Sequence, residues 1–270
     1  MRGAALMNHG AAVAAAWLGA TTMAAAAEPQ GDDGAAAWRA EFDAIGWLLG
    51  MDGTVGVRGH TAAAHASFLD IIEDSDSVAG FAGRIEAGFG RFAGFVDGMY
   101  DEVGIEGASG PGGLADIDIT FAETVLDFGA MYRVVESQGS RARPAITDVD
   151  IYAGGRFAAL SLELAPAQLP AKSGDRGWTD PIVGAKIGIA LDERFRLAIN
   201  GDVGGFGLAS NFTWSATALV VLDFTLGDAP ASILLGYRAI GWDHADGEAE
   251  ERFTWDVIQH GAVIGFALRF

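Results

Sequence analysis

The sequence predicts an all-β fold, a closed antiparallel transmembrane up-and-down β-barrel of about ten strands, within a range of about eight to twelve. Three observations predict it. Apolar and polar residues alternate with a period of two in segment after segment; clusters of Gly, Pro, Asp and Ser separate the segments; and the last segment runs to a terminal Phe270.

The composition agrees. The 270 residues include 39 Gly, 16 Phe and 7 Trp but only 7 Pro, a bias that suits strands whose two faces meet different surroundings. Half of the chain is hydrophobic, which excludes disorder as its general state. After the N-terminus the longest charge-free run, 203–222, is interrupted by Gly204, Gly205, Gly207 and Asn211, and its second half alternates with a period of two, so a helical membrane protein is not expected.

Residues 1–27 read as a secretory signal peptide, with Arg2 as the positive start, Ala11 to Ala20 as the apolar stretch and Ala25-Ala26-Ala27 as the small-residue cleavage site. The mature chain is then expected to begin near Glu28. Residues 28–45 are expected to be a flexible periplasmic segment with a short helical turn over Trp38 to Phe42, and the barrel to occupy 46–270. The absence of cysteine removes disulfides, thiolate chemistry, thiolate-bound zinc and a lipid-bearing cysteine. Cleavage removes Arg2 and no acid, moving the formal charge from −19 to −20, which opposes nucleic-acid binding.

Strands are expected near 46–59, 77–88, 91–106, 115–134, 145–163, 178–190, 193–206, 211–226, 231–244 and 252–270. The last is the clearest: Ala262, Ile264, Phe266, Leu268 and Phe270 share one face, opposite Gly261, Val263, Gly265, Ala267 and Arg269. From Arg194 the residues Phe195, Leu197, Ile199 and Val203 oppose Arg194, Arg196, Asn200 and Asp202. A membrane barrel places such charges in its lumen. Short turns around Gly90, Asp192 and Asp228 are assigned to the periplasmic side, and the longer connections 60–76, 107–114, 164–177 and 245–251 to the outside. Trp47, Tyr100, Trp178, Phe206, Trp214, Trp242 and Phe270 fall near strand ends, where interfacial aromatic girdles belong.

The face opposite the apolar rows collects Asp52, Arg58, Arg84, Glu86, Asp97, Glu123, Asp127, Arg133, Asp148, Asp150, Arg156, Lys186, Arg194, Arg196, Asp202, Arg238 and Arg269. In a barrel of about ten strands the interior is only slightly wider than side chains fill, and buried charges persist only when paired. The reading is therefore a charge-paired plug, with a narrow polar channel constricted by Arg196, Asp202 and Arg238 as the alternative. A rim hydrolase is the third reading. His60, His65 and His244, with Asp70, Asp74, Asp243 and Asp246, supply the groups at the outer zone that could activate water. The acids near residues 70–76 and 243–251 lack the spacing of a calcium site and read as a solvated anionic rim. No catalytic residue, metal or cofactor is assigned.

The ending Gly261 to Phe270 resembles the C-terminal signature of Gram-negative outer-membrane barrels. Trp178-Thr179-Asp180-Pro181-Ile182-Val183-Gly184, Gly201-Asp202-Val203-Gly204-Gly205-Phe206, Gly236-Tyr237-Arg238 and Asp52 to Gly59 resemble a poorly characterised group of small outer-membrane barrels. The resemblance implies residence in the outer membrane among its lipids, and assembly by the barrel machinery through Ile264, Phe266, Leu268 and Phe270. It implies no reaction.

Overall fold

The computed structural model describes residues 38–57, 60–108, 117–137, 144–166 and 171–270. The predicted signal peptide, residues 28–37 of the segment after it, and Arg58 lie outside the described residues. Among the described residues eleven strands form one antiparallel sheet: β1 (Trp38–Val57), β2 (His60–Ala66), β3 (Ser77–Phe89), β4 (Phe92–Ala108), β5 (Ile117–Glu136), β6 (Ala145–Pro166), β7 (Lys172–Ala190), β8 (Phe195–Gly204), β9 (Phe212–Leu226), β10 (Ala229–Asp246) and β11 (Phe253–Arg269).

Ten of these strands make a closed wall. Each from β3 to β11 pairs with its neighbour in sequence, and β11 returns to β1 in a register running from Glu41↔Arg269 to Gly56↔Thr254. Closure removes the two free edges that an open sheet of this length would expose. Beyond the last strand residue, Phe270 and Ala40 exchange backbone hydrogen bonds of 2.9 and 3.0 Å, sealing the foot of the seam.

The eleventh strand, β2, lies outside the wall. β1 pairs with β3 only from Trp38↔Phe89 to Ile45↔Ala82, and from Met51 to Val57 it pairs instead with β2. Gly46–Gly50 of β1 and Ser77–Phe81 of β3 are left unpaired with each other, a break in the wall toward the end that carries the longer loops. A short helix, α1 (Phe68–Asp74), follows β2. Ser67 is its N-cap: its hydroxyl accepts from the Asp70 amide at 3.2 Å, while the Asp70 carboxylate accepts from the Ser67 amide at 2.8 Å, the reciprocal pattern of a capping box.

Several expectations are corrected here. Trp38–Ile45, expected to be flexible or briefly helical, is strand. Glu41 and Asp43 face the lumen and Phe42 and Ala44 the outside, a two-residue alternation that the neighbouring alanines obscure. The connection 60–76, expected to be a loop, contains β2 and α1. Asp52 points out of the barrel rather than into it, because its direct partner on β11 is the exposed Ile258, whereas Met51 beside it packs into the lumen. Arg194 lies in the short turn before β8 and is exposed, so it does not belong to the lumen. Trp47, Trp178 and Trp242 also face inward, and no girdle includes them.

The exterior is apolar along the strands, with Phe128, Ile151, Val183, Ile199, Val220, Leu235 and Ile264 exposed. Aromatic pairs band its short-turn end: Trp38 with Phe89 at 5.2 Å and Phe92 with Tyr132 at 5.0 Å between ring centroids. Phe81 and Tyr100, 5.8 Å apart, lie nearer the other end.

Candidate functional site

The lumen is the candidate site, because the buried polar side chains of the chain gather there. At its centre stands Arg156, on the inward face of β6 and fully buried. Its Nε and Nη2 donate to Asp127 of β5 at 2.8 and 2.7 Å, a two-point pair set up by the direct register Asp127↔Arg156. Nη2 also donates to Asp202 of β8 at 3.1 Å, and Nη1 donates to the Thr213 hydroxyl of β9 at 3.2 Å. The guanidinium lies 5.6 Å from the Trp242 ring. One cation thus ties together four strands and an aromatic face across the bore.

A second set spans the lumen from the other side. Arg238 of β10 donates to Asp97 of β4 at 2.9 Å, and Arg84 of β3 lies 3.6 Å from both Asp97 and Glu86. Lys186 of β7 reaches Glu86 at 2.7 Å. Tyr152 fills the space between the two sets, its hydroxyl 2.7 Å from Asn200 Oδ1 and 3.1 Å from an Asp202 carboxylate oxygen and its ring edge on Phe95. Toward the short-turn end Arg133 pairs with Asp150 at 2.8 Å, Arg196 with Asp223 at 2.6 Å, and Arg269 with Glu41 at 2.7 Å and Asp223 at 3.1 Å.

Most of the expected lumen charges are therefore brought together as pairs. Asp148 also stays near the group, its carboxylate accepting from the Thr147 hydroxyl at 2.9 Å. Of the residues named for a channel constriction, Asp202 stands beside Arg156, Arg238 pairs with Asp97, and Arg196 lies toward the short-turn end with Asp223. Glu123 is inward and buried, but its partner is Gln259, whose amide donates to it across the bore; Gln259 in turn accepts from Trp242 Nε1 at 3.1 Å. Sequence reasoning missed Glu41, Asp43, Asp223 and Asp180 as lumen acids. The first two fell in the segment read as flexible, although their alternation with Phe42 was available.

Toward the long-loop end the lumen becomes aromatic and apolar, with Met99, Val125, Leu160, Trp178, Trp242, Trp255 and Val257 in one buried cluster. Beside it a buried Asp, Ser and His meet. The Ser210 amide and hydroxyl both donate to Asp180, at 2.7 and 2.5 Å, and Trp178 Nε1 donates to the same carboxylate at 3.2 Å. His244 stacks on Trp178 at 3.9 Å between ring centroids, with Nδ1 at 3.4 Å from Ser210 Oγ. The turn holding Ser210 bends through Gly205 and Gly207 at φ 83° and 73°, a conformation glycine adopts without strain. A hydrolytic triad needs the serine proton to go to the imidazole. Here it goes to Asp180, so the group ties the β8–β9 turn down onto β7 and β10.

Of the other histidines proposed for the rim, the His60 side chain lies outside the described residues. His65 is held on the exterior by Asp52, which also accepts from His260 Nε2 at 2.8 Å, while His260 Nδ1 lies 2.6 Å from the Tyr237 hydroxyl. His65 and His244 thus belong to different faces of the wall and do not converge. Among the described residues no group of three His, Cys, Asp or Glu side chains has the arrangement of a metal site.

No protein-family model and no curated protein matches the chain. Solved structures do. The outer-membrane protease OmpT of Escherichia coli is similar over 90% of this chain and 99% of its own, at a TM-score of 0.43 and 9% identity. Ail, the attachment invasion locus protein of Yersinia pestis, solved with the heparin analogue sucrose octasulfate, is similar over 87% and 99%, at 0.39 and 10%. Neisserial surface protein A is similar over 89% and 100%, at 0.29 and 14%. The likeness is one of architecture. No residue role is carried over from these proteins.

Proposed function

We propose that the chain is an integral outer-membrane β-barrel with a structural, envelope-associated role and a lumen closed by its own ion pairs. The observation that carries this reading is Arg156, fully buried at mid-barrel and bound to Asp127, Asp202 and Thr213 from three other strands. An apolar exterior with aromatic pairs near both ends suits hydrocarbon flanked by two interfaces. The partners this reading implies are outer-membrane lipids and, through Ile264, Phe266, Leu268 and Phe270, the barrel-assembly machinery. The N-terminal 27 residues are its export signal, cleaved on passage.

A narrow passive pore is the competing reading, and it needs a water path past Arg156. Planar-bilayer recording on the refolded barrel separates the two. The expected record is flat, with no discrete steps in symmetric potassium chloride. Regular ion-selective steps from the unmodified protein would overturn the closed-lumen reading.

A further inference from the structure

The short helix α1 carries two unlike faces. At about 100° per residue, Phe68, Leu69, Ile71 and Ile72 fall within one arc of roughly 160°, and Asp70, Glu73 and Asp74 occupy the opposite side. No residue of the helix is buried; Phe68 and Ile71 are half-buried, while Leu69 and Ile72 are 64% and 46% exposed. A helix this short depends on what its apolar face meets, and the protein covers only part of that face.

The path of the chain places α1 on the outside of the wall. Leu49 and Met51 pack into the lumen, so Gly50 between them faces outward. A methyl group at Gly50 would stand 3.1 Å from the Ala66 carbonyl oxygen and 3.4 Å from the Phe68 amide nitrogen, which shows the chain crossing the outer face of β1 as it enters the helix. Beyond the helix the Asp76 amide donates to Gly104 of β4 at 2.9 Å, and β3 begins at Ser77. Gly50 stands five residues past Ile45, and Ser77 five residues before Ala82, the last residues that pair β1 with β3. Both ends of α1 are therefore held at one level, and the helix runs across the strands rather than along them.

That level is the upper edge of the apolar band. On β3 the outward rings Phe89, paired with Trp38, and Phe81, paired with Tyr100, are eight residues apart. At the tilt of barrel strands this is roughly 20 Å of height, close to the lipid-facing band of about 25 Å between two aromatic girdles. Just below α1 the exterior is apolar, with Leu48 exposed two residues before Gly50 and Phe81 exposed four residues after Ser77. Two residues past Gly50 the same face turns polar, with Asp52 bound to His65 of β2. The helix lies at that changeover.

We propose that α1 is seated in the lipid–water boundary at the long-loop end, with Leu69 and Ile72 in the top of the acyl layer and Glu73 and Asp74 among the headgroups. The inference rests on the outer-membrane reading and adds a partner for one element of it. The apolar exterior of the barrel continues upward through Leu48 and Phe81 to the exposed side of α1, so the surface that meets hydrocarbon lower down meets it here as well. The acids of the opposite face stay hydrated. Held crosswise, such a helix acts as a stop that fixes how deep the barrel sits.

The chain has no cysteine, so single-cysteine variants carry one label each. Leu69→Cys, Ile72→Cys, Glu73→Cys and Asp74→Cys, all at unburied positions, are labelled with an environment-sensitive fluorophore in nanodiscs that contain a lipid with a nitroxide near the top of its acyl chain. Leu235→Cys, on the exposed outer wall, is the reference. Labels at 69, 72 and 235 are expected to lose most of their emission, and those at 73 and 74 to keep most of theirs. Emission kept at 69 and 72 but lost at 235 would overturn the proposal and leave the membrane barrel standing, whereas emission kept at 235 as well would overturn the membrane reading itself. Equal loss at all four helix positions would overturn the proposed orientation. Protection of Leu69→Cys from a thiol reagent in cells, without protection in nanodiscs, would assign the face to a protein and overturn the proposal too.

Discussion

Arg156 and Asp127 face each other directly across β6 and β5 and join through two parallel hydrogen bonds of 2.8 and 2.7 Å, with no exposed surface on the arginine. Removing one member of a buried pair leaves the other charge uncompensated. Arg156→Met is therefore expected to destabilise the barrel by about 3–5 kcal/mol. Adding Asp127→Asn and Asp202→Asn to it is expected to recover a large part of the loss, since the buried acids then carry no charge. Urea midpoints from heat-modifiable gel mobility measure both.

Arg238 and Asp97 meet across the bore at 2.9 Å from strands far apart in sequence. Their contact is expected to show a coupling of about 0.5–3 kcal/mol in a cycle of Arg238→Gln, Asp97→Asn and the double variant. Additive losses would show that the lumen is wide enough for water to replace either partner.

The Asp70 carboxylate is held below its ordinary range by the hydroxyl and amide of Ser67. A carboxylate depressed in the folded state contributes stability above its unfolded value, and that contribution is lost as pH falls through the folded one. The protection of the α1 amides, taken relative to intrinsic exchange rates at each pH, is thus expected to fall on acidification below the usual carboxylate range while the strands stay protected. Asp70→Asn is expected to give the faster exchange at neutral pH and to flatten the profile.

Asp52 holds His65 of β2 and His260 of β11 from the outside of the wall. Asp52→Ala is expected to raise hydrogen exchange across His60–Ala66 and to leave the urea unfolding midpoint of the ten-stranded wall unchanged, as for other exposed contacts. A large fall in the midpoint would mean that β2 is part of the wall's stability.

The barrel itself was legible because period two and burial reinforce each other. In Ala262–Phe270 every second side chain is apolar and faces outward, and the ends and order of the later strands follow from the same rule. The pairs Arg133–Asp150 and Arg156–Asp127 were legible as a charged face but not as pairs, because register between strands depends on loop lengths and bulges that composition does not encode. The sequence places Asp52 on the inner face and the structure on the outer one, since its strand mixes glycine and threonine with both kinds of residue and nothing local fixes parity there. Asp180 and Ser210 escaped notice for another reason. They are 30 residues apart, and only the fold of the β8–β9 turn puts one beneath the other.

The Arg238–Asp97 contact joins residues separated by 141 positions, and Gln259–Glu123 by 136. Neither can form while the sheet is still a growing ribbon. Pairs between neighbouring strands, such as Arg156–Asp127 and Arg196–Asp223, can form in the ribbon, but until the wall closes groups paired across the bore, such as Arg238 and Gln259, have only water to satisfy them. Insertion must therefore keep that part of the surface hydrated up to the moment the ring shuts, so the last polar contacts of the interior and the sealing of the seam come together.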